Sequence, residues 1–271
     1  MRQNGSVNVR RAVIDNGGVE LAVFDFPSAE PAVVILHGLA GSSREFEQTA
    51  RALAPRRVVL VDLRGHGDST RAPADVSRDA FVNDVVKVIE SLSDGPVSLV
   101  GQSMGGHTAM LVAARHPHLV DRLVLLEAGV GGDGDAQSRD SLRQYFESWP
   151  VPFADHASAG GFLGDSPLQR AWVDGLESRA DGLWPRFEPG VMVAVMEHVD
   201  AHALWDDWER VALPTLLVFA EHGIFSPRMR AELTDRAGHA SSIELADASH
   251  DAHLDAFAAW ADALRTFVST G

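Results

Sequence analysis

The segment Gly101-Gln102-Ser103-Met104-Gly105-Gly106 places a serine between glycines, after the apolar run 97–100 and before a stretch of helical periodicity. A serine on such a strand-to-helix turn is pushed up at the carboxyl end of a sheet. Side chains at the flanking glycine positions would clash with the opposing backbone. The helix behind it offers free N–H groups and a partial positive charge, which suits a developing oxyanion. Such a residue can attack an acyl carbon once a base takes its proton and an acid orients that base.

A second loop, His37-Gly38-Leu39-Ala40-Gly41-Ser42-Ser43, follows the apolar run 32–36. Its backbone can approach the serine, and the N–H groups of Leu39 and Met104 then form a two-donor oxyanion hole. Together with Asp62-Leu63-Arg64-Gly65-His66-Gly67-Asp68-Ser69, these loops strongly resemble those of the α/β-hydrolase fold family, in its serine-hydrolase branch with a helical cap. The resemblance spans almost the whole chain, is weakest across the cap and points to a superfamily, not to a substrate. It implies a mostly parallel eight-stranded sheet with helices on both faces and an inserted cap.

Twelve histidines compete for the role of base. His250, in Asp247-Ala248-Ser249-His250-Asp251, lies between the last expected strand and the last helix, where the chain returns to the carboxyl edge of the sheet. It also matches the place of the family's catalytic histidine, although Ser249 stands where a glycine is usual. His253 is its nearest rival and is expected on the helix, whereas His37, His66 and His107 read as packing or surface residues of other loops. The acid departs from the pattern. Most members of the family carry an aspartate after the strand 215–219, and the residue at that spacing from Pro214 is Gly223. A replacement stands one strand earlier: Glu127 ends the run 123–126, just before Ala128-Gly129. Certain dehalogenases and lactonases of this fold use an acid after that strand. Glu127 is therefore assigned to orient His250, because a triad is defined by geometry and not by chain order. Glu221, two residues before the usual place, is the second choice.

The elements that must position these residues are legible in the hydrophobic pattern. Asn16-Gly17-Gly18 between apolar alternations predicts a hairpin over 7–26. The short apolar runs 32–36, 58–63, 97–100, 123–126 and 215–219 suit strands buried on both faces of a parallel sheet. Helical spacing recurs over 43–53, 77–92 and 104–115, with Ser77 as N-cap and Pro117 as a stop. This alternation predicts a doubly wound α/β fold. It lapses after the glycine-rich exit 129–134, so residues 1–130 and 206–271 are expected to form the core and 131–205 a mostly helical cap. Helices are expected in the cap around 142–149, 168–176 and 191–204. After it come a helix over 228–237, a strand over 242–245 and a final helix from about 253 to 267. Five tryptophans, Trp149, Trp172, Trp184, Trp205 and Trp208, fall in or just beyond the cap, either as its packing or as the walls of an apolar pocket.

Composition narrows the chemistry further. The chain has 271 residues, 45% of them hydrophobic, and carries 23 Lys and Arg against 38 Asp and Glu. A formal charge of -15 disfavours a phosphate backbone as partner. The absence of cysteine excludes a thiol nucleophile and Cys-based metal sites. No apolar run approaches a membrane span, none follows the basic N-terminus 1–11, and a cytoplasmic monomer or homodimer is the default expectation. The expected reaction is hydrolysis of an ester or lactone of a small to medium apolar substrate, with no cofactor and no metal. A diketone hydrolase on the same triad is the alternative, and it would need a cation for the substrate carboxylate, with Arg139, Arg143, Arg170, Arg179 and Arg186 available. A lyase or perhydrolase on this scaffold has no distinctive signal. A noncatalytic small-molecule receptor is supported by the missing aspartate alone.

Overall fold

The computed structural model describes residues 9–132 and 134–269. The strands are β1 (Arg10–Asn16), β2 (Val19–Phe26), β3 (Ala29–Leu36), β4 (Arg56–Val61), β5 (Val97–Gln102), β6 (Val120–Leu126), β7 (Glu177–Arg179), β8 (Gly182–Trp184), β9 (Thr215–His222) and β10 (Ala240–Ser249). Eight of them, among the described residues, form one sheet in the order β1-β2-β4-β3-β5-β6-β9-β10. The pairs β1/β2 and β2/β4 are antiparallel and the others parallel. The expected hairpin is present, with Gly17 and Gly18 at φ of 65° and 90° as a two-residue turn requires. Residues 7 and 8, where the sequence pattern starts it, lie outside the described residues.

The helices are α1 (Glu47–Ala52), α2 (Arg78–Leu92), α3 (Met104–Arg115), α4 (Ala136–Glu147), α5 (His156–Leu163), α6 (Pro167–Gly175), α7 (Pro189–Asp200), α8 (Trp205–Arg210), α9 (Pro227–Arg236), α10 (Ala252–Asp255) and α11 (Phe257–Ser269). Strand side chains alternate between two cores. Val34, Leu36, Val59 and Val61 pack with Phe81 and Val85 of α2 and Leu111 of α3 on one face. Val33, Ile35, Val58 and Leu60 pack with Phe46, Trp260 and Leu264 on the other. Each such side chain, fully buried, contributes about 1.5–3 kcal/mol, which is why these strands read as continuous apolar runs. Ser77 caps α2 by accepting from the Ala80 N–H. The expected single C-terminal helix is instead α10 and α11, parted at Ala256. No helix among the described residues is long and apolar enough to cross a membrane.

Strands β4 and β5 flank β3 on opposite sides, so the winding direction reverses there. The loops leaving β3 and β5 consequently diverge around a crevice at their carboxyl ends, which is where open α/β sheets bind ligands.

Between β6 and β9 the chain forms α4–α8 and the small β7/β8 hairpin. Three-residue strands carry no readable period, which is why the sequence pattern showed only helices here. Phe146, Trp149, Phe153 and Phe187 form a buried cluster with Leu163, Leu183 and Met192, closed over Ala40. Phe146 meets Phe187 edge-on at 4.8 Å, and Trp149 lies 5.5 Å from Trp172. These rings are packing, as a thin helical layer needs. Trp208 belongs to the core beneath α3 and donates to the Leu233 carbonyl at 2.9 Å.

The loop after β4 is fixed to α2 by one buried ion pair. Arg64 Nε and Nη2 reach the two Asp84 oxygens at 2.6 and 2.7 Å, and Asn16 Nδ2 adds a bond of 2.7 Å to the same carboxylate. Both side chains are at most 5% exposed. Removing one partner strands the other in the core. Asp84→Ala is expected to lower the unfolding free energy by about 3–5 kcal/mol, measured by urea titration.

Candidate active site

Ser103 joins β5 to α3 with φ 50° and ψ −120°, a left-handed conformation that a serine adopts only under constraint. The constraint is close packing. A Cβ on Gly105 would lie 2.4 Å from the His37 carbonyl oxygen, one on Gly101 would lie 2.4 Å from that of Gly105, and one on Gly106 would meet Ala128 Cβ at 2.3 Å. The glycines thus let α3 press against the ends of β3 and β6. The Met104 amide is among the free N–H groups of the first helical turn. Gly38 packs tightly on Gln102 and Ser103, and the amide of the next residue, Leu39, has no acceptor among the described residues.

Glu127 leaves β6 with φ 47°, and its side chain is fully buried. Its Oε1 accepts from Ala220 N at 2.8 Å and its Oε2 from Ile224 N at 2.7 Å. A buried carboxylate requires such donors. The carboxylate lies over Gly223, where a Cβ would come within 2.1 Å of Oε2. The glycine found at the family's aspartate position is therefore the space that Glu127 fills from the neighbouring strand. His250 Nδ1 stands 3.5 Å from the same Oε2, with the ring 28% exposed. Ser103 N donates to the carbonyl of Leu126, the residue before Glu127, and Gln102 Nε2 donates to the His250 carbonyl at 3.3 Å. These bonds gather the three sequence-predicted residues at one sheet edge. Glu221 turns elsewhere: it is exposed within β9, and its carboxylate accepts from Asp247 N at 2.9 Å.

The other motif histidines serve the framework. His37 Nε2 accepts from Leu63 N at 3.0 Å while Nδ1 donates to the Gly38 carbonyl at 2.7 Å, which ties the loops after β3 and β4 together. Asp62 accepts from Ser43 N and Asp68 N, each at 2.7 Å. His253 lies in α10, stacked 4.3 Å from Phe46 and 3.6 Å from Glu45. His66 is buried, and burial first, then its electrostatic interaction with the neighbouring His37 ring, lowers its pKa to about 3. His107, one turn beyond Ser103, is lowered to about 3 by burial and then by Arg78.

A cavity of about 670 Å³ opens beside Ser103 and Glu127. Its lining includes Met104, Val130, Met196, Val199, Trp205 and Phe225, with Gly129, Gly131 and Gly132 beside them. Of the aromatic residues in the inserted segment, Trp205 reaches it; the apolar walls otherwise come from the start of α3, from α7 and α9, and from the loops after β6, α7 and β9. None of the five candidate arginines lines it. Arg139 pairs with Asp200, Arg170 with Asp165, Arg179 with Glu177 and Arg186 with Asp68. The Ala220 and Ile224 amides, the space over Gly223 and His107 were not anticipated as parts of the site. Only the pairing of a missing aspartate with a new glutamate and the four-residue step from Ser103 could have revealed them.

A family model described as alpha/beta hydrolase fold matches residues 31–257. The chain is 44% identical over 108 residues to the sn-1-specific diacylglycerol lipase ABHD11 of Mus musculus, covering 39% of this chain and 35% of that protein. It thus matches about a third of the length of that curated relative. Lipase LipV of Mycobacterium tuberculosis is 29% identical over 229 residues, 82% of this chain and 79% of that one. The crystal structure of E-2-(acetamidomethylene)succinate hydrolase has a TM-score of 0.86 at 20% identity, over 97% of this chain and 100% of that one, a likeness of fold.

His66 and His107, the buried histidines whose pKa is lowered, give the protein a pH signature. Unfolded, each ring takes a proton near the ordinary histidine value of 6.5; folded, each waits until about pH 3. Their contribution to stability is therefore complete above pH 6.5 and is lost as pH falls toward 3. Nitrogen-15 NMR titration of the folded protein is expected to find both rings neutral throughout about pH 5 to 8.

Proposed function

The chain belongs to the α/β-hydrolase fold family, and from that premise we propose that it cleaves a carboxylic ester or lactone of a small to medium apolar substrate through an acyl-enzyme on Ser103. The observation that carries this reading is the His250–Glu127 pair at the sheet edge where Ser103 is held in a left-handed turn beside an apolar cavity. His250 Nε2 takes the proton of Ser103 Oγ as Oγ bonds to the acyl carbon. The tetrahedral oxygen then lies between the amides of Leu39 and Met104, and collapse expels the alcohol with the proton returned by His250. Water, deprotonated by the same ring, releases the acid and restores Ser103. Glu127 holds Nδ1 protonated and stabilises the imidazolium in each half-reaction.

Residues 131–205 are read as a cap, in which Met196 and Val199 of α7 face the substrate and the aromatic cluster keeps the layer rigid. The walls favour an ester over a carboxylate-bearing diketone, because no lysine or arginine lines the cavity among the described residues, Arg139 behind the wall is engaged by Asp200, and Glu232 adds a negative charge. The lipase names of two relatives agree with ester chemistry.

Incubation with a fluorophosphonate is expected to add one adduct mass to the protein and none to Ser103→Ala. An unlabelled wild-type protein would favour a receptor instead. Glu127→Ala is expected to lower kcat by about 10²–10⁴-fold, whereas Glu221→Ala changes it little; the reverse order would refute the assigned acid.

A further inference from the structure

His107 raises a question that the triad does not answer. The ring is 2% exposed, yet neither nitrogen completes a hydrogen bond, although the Val130 carbonyl lies close enough to favour a proton on the ring. A buried polar group without partners costs stability and demands a reason. His107 lines the same cavity as Ser103. The two residues are joined across the first turn of α3, where the His107 N–H donates to the Ser103 carbonyl at 3.0 Å.

We propose that His107 is the recognition point for a hydroxyl group on the substrate, two or three atoms from the reacting carbonyl, so that the preferred substrate is an uncharged hydroxylated ester. This rests on the reading of the cavity as the substrate site. The spacing sets the position: a substrate bonded to Ser103 Oγ that also reaches an imidazole one turn away has room for only a few atoms between. The chemistry sets the class. A neutral imidazole has one donor and one acceptor, and a hydroxyl can give or take a proton, so it satisfies the ring in either tautomer. A carboxylate could use only the donor, and would face Glu232 and Asp200, whose charge Arg139 already takes up at 3.5 Å. The remaining surface, Met104, Met196, Val199 and Phe225, accepts the hydrocarbon part. The ring stays uncharged at ordinary pH, so this recognition is independent of pH across the working range.

The test separates binding from catalysis by using full-length Ser103→Ala. NMR titrations compare methyl hexanoate, methyl 3-hydroxyhexanoate and 2-hydroxyethyl hexanoate, the last two placing the hydroxyl on the acyl or on the alcohol side. At least one hydroxylated ester is expected to bind about tenfold more tightly than methyl hexanoate. Adding His107→Leu is expected to erase that ratio, and His107→Gln, which keeps a donor and an acceptor, to retain part of it. Equal binding of all three esters, or a ratio that survives His107→Leu, overturns the proposal. Fluorophosphonate labelling of the wild type is scored separately, so loss of the His107 role and loss of the serine mechanism give different results.

Discussion

A carboxylate with no access to water has to be satisfied by the protein, and the loops at the carboxyl edge of the sheet are arranged around that demand at Glu127. Two backbone amides from the end of β9 and the turn after it bind its oxygens, and the missing side chain at Gly223 gives it room. Arg230 of α9 braces this turn by donating to the carbonyls of Phe225 at 2.8 Å and Ala220 at 2.6 Å. What the carboxylate still offers is one edge directed at His250. An acid held this rigidly has no freedom to follow the imidazole, so the imidazole is held to it.

The same edge concentrates backbone strain. The non-glycine residues with positive φ among those described are Ala40, Ser103, Glu127 and Asp247, in the loops after β3, β5 and β6 and toward the end of β10. Each conformation costs of order 1–3 kcal/mol and persists only where the surroundings over-determine it. Here the surroundings are two apolar cores that clamp the sheet from both faces, and three glycines that let α3 approach the backbone of β3 and β6. Stability invested in the framework is what holds Ser103, two candidate oxyanion amides and the His250–Glu127 pair at the carboxyl edge of the sheet.

Much of this was legible in the residues. Apolar runs located the central strands because a doubly wound sheet buries both faces, but their polar ends, Arg56, Arg57 and His222, were invisible to a hydrophobic criterion. The serine turn announced itself because its glycines answer to close backbone contacts. His250 and Glu127 followed from loop positions, and the structure brings them together. The segment between β6 and β9 was harder: its aromatic residues looked suited to packing or to a pocket, and only three-dimensional contact shows that Phe146, Trp149, Phe153 and Phe187 pack on one another while Met196 and Val199 face the cavity. That Gly223 and Glu127 form one device could not be read from either residue alone, since the link runs across neighbouring strands.

The link can be tested by moving the acid. In Glu127→Ala the space over Gly223 is vacated, and a further Gly223→Asp would supply a carboxylate to that space from β9. The decisive measurement is kcat/KM of this double variant beside the Glu127→Ala single variant, on an ester the wild type turns over. Recovery of a large part of the lost activity is the expected result. A double variant that folds but is no more active than the single one would contradict the claim that a carboxylate at this point in space, whichever strand delivers it, is what His250 requires.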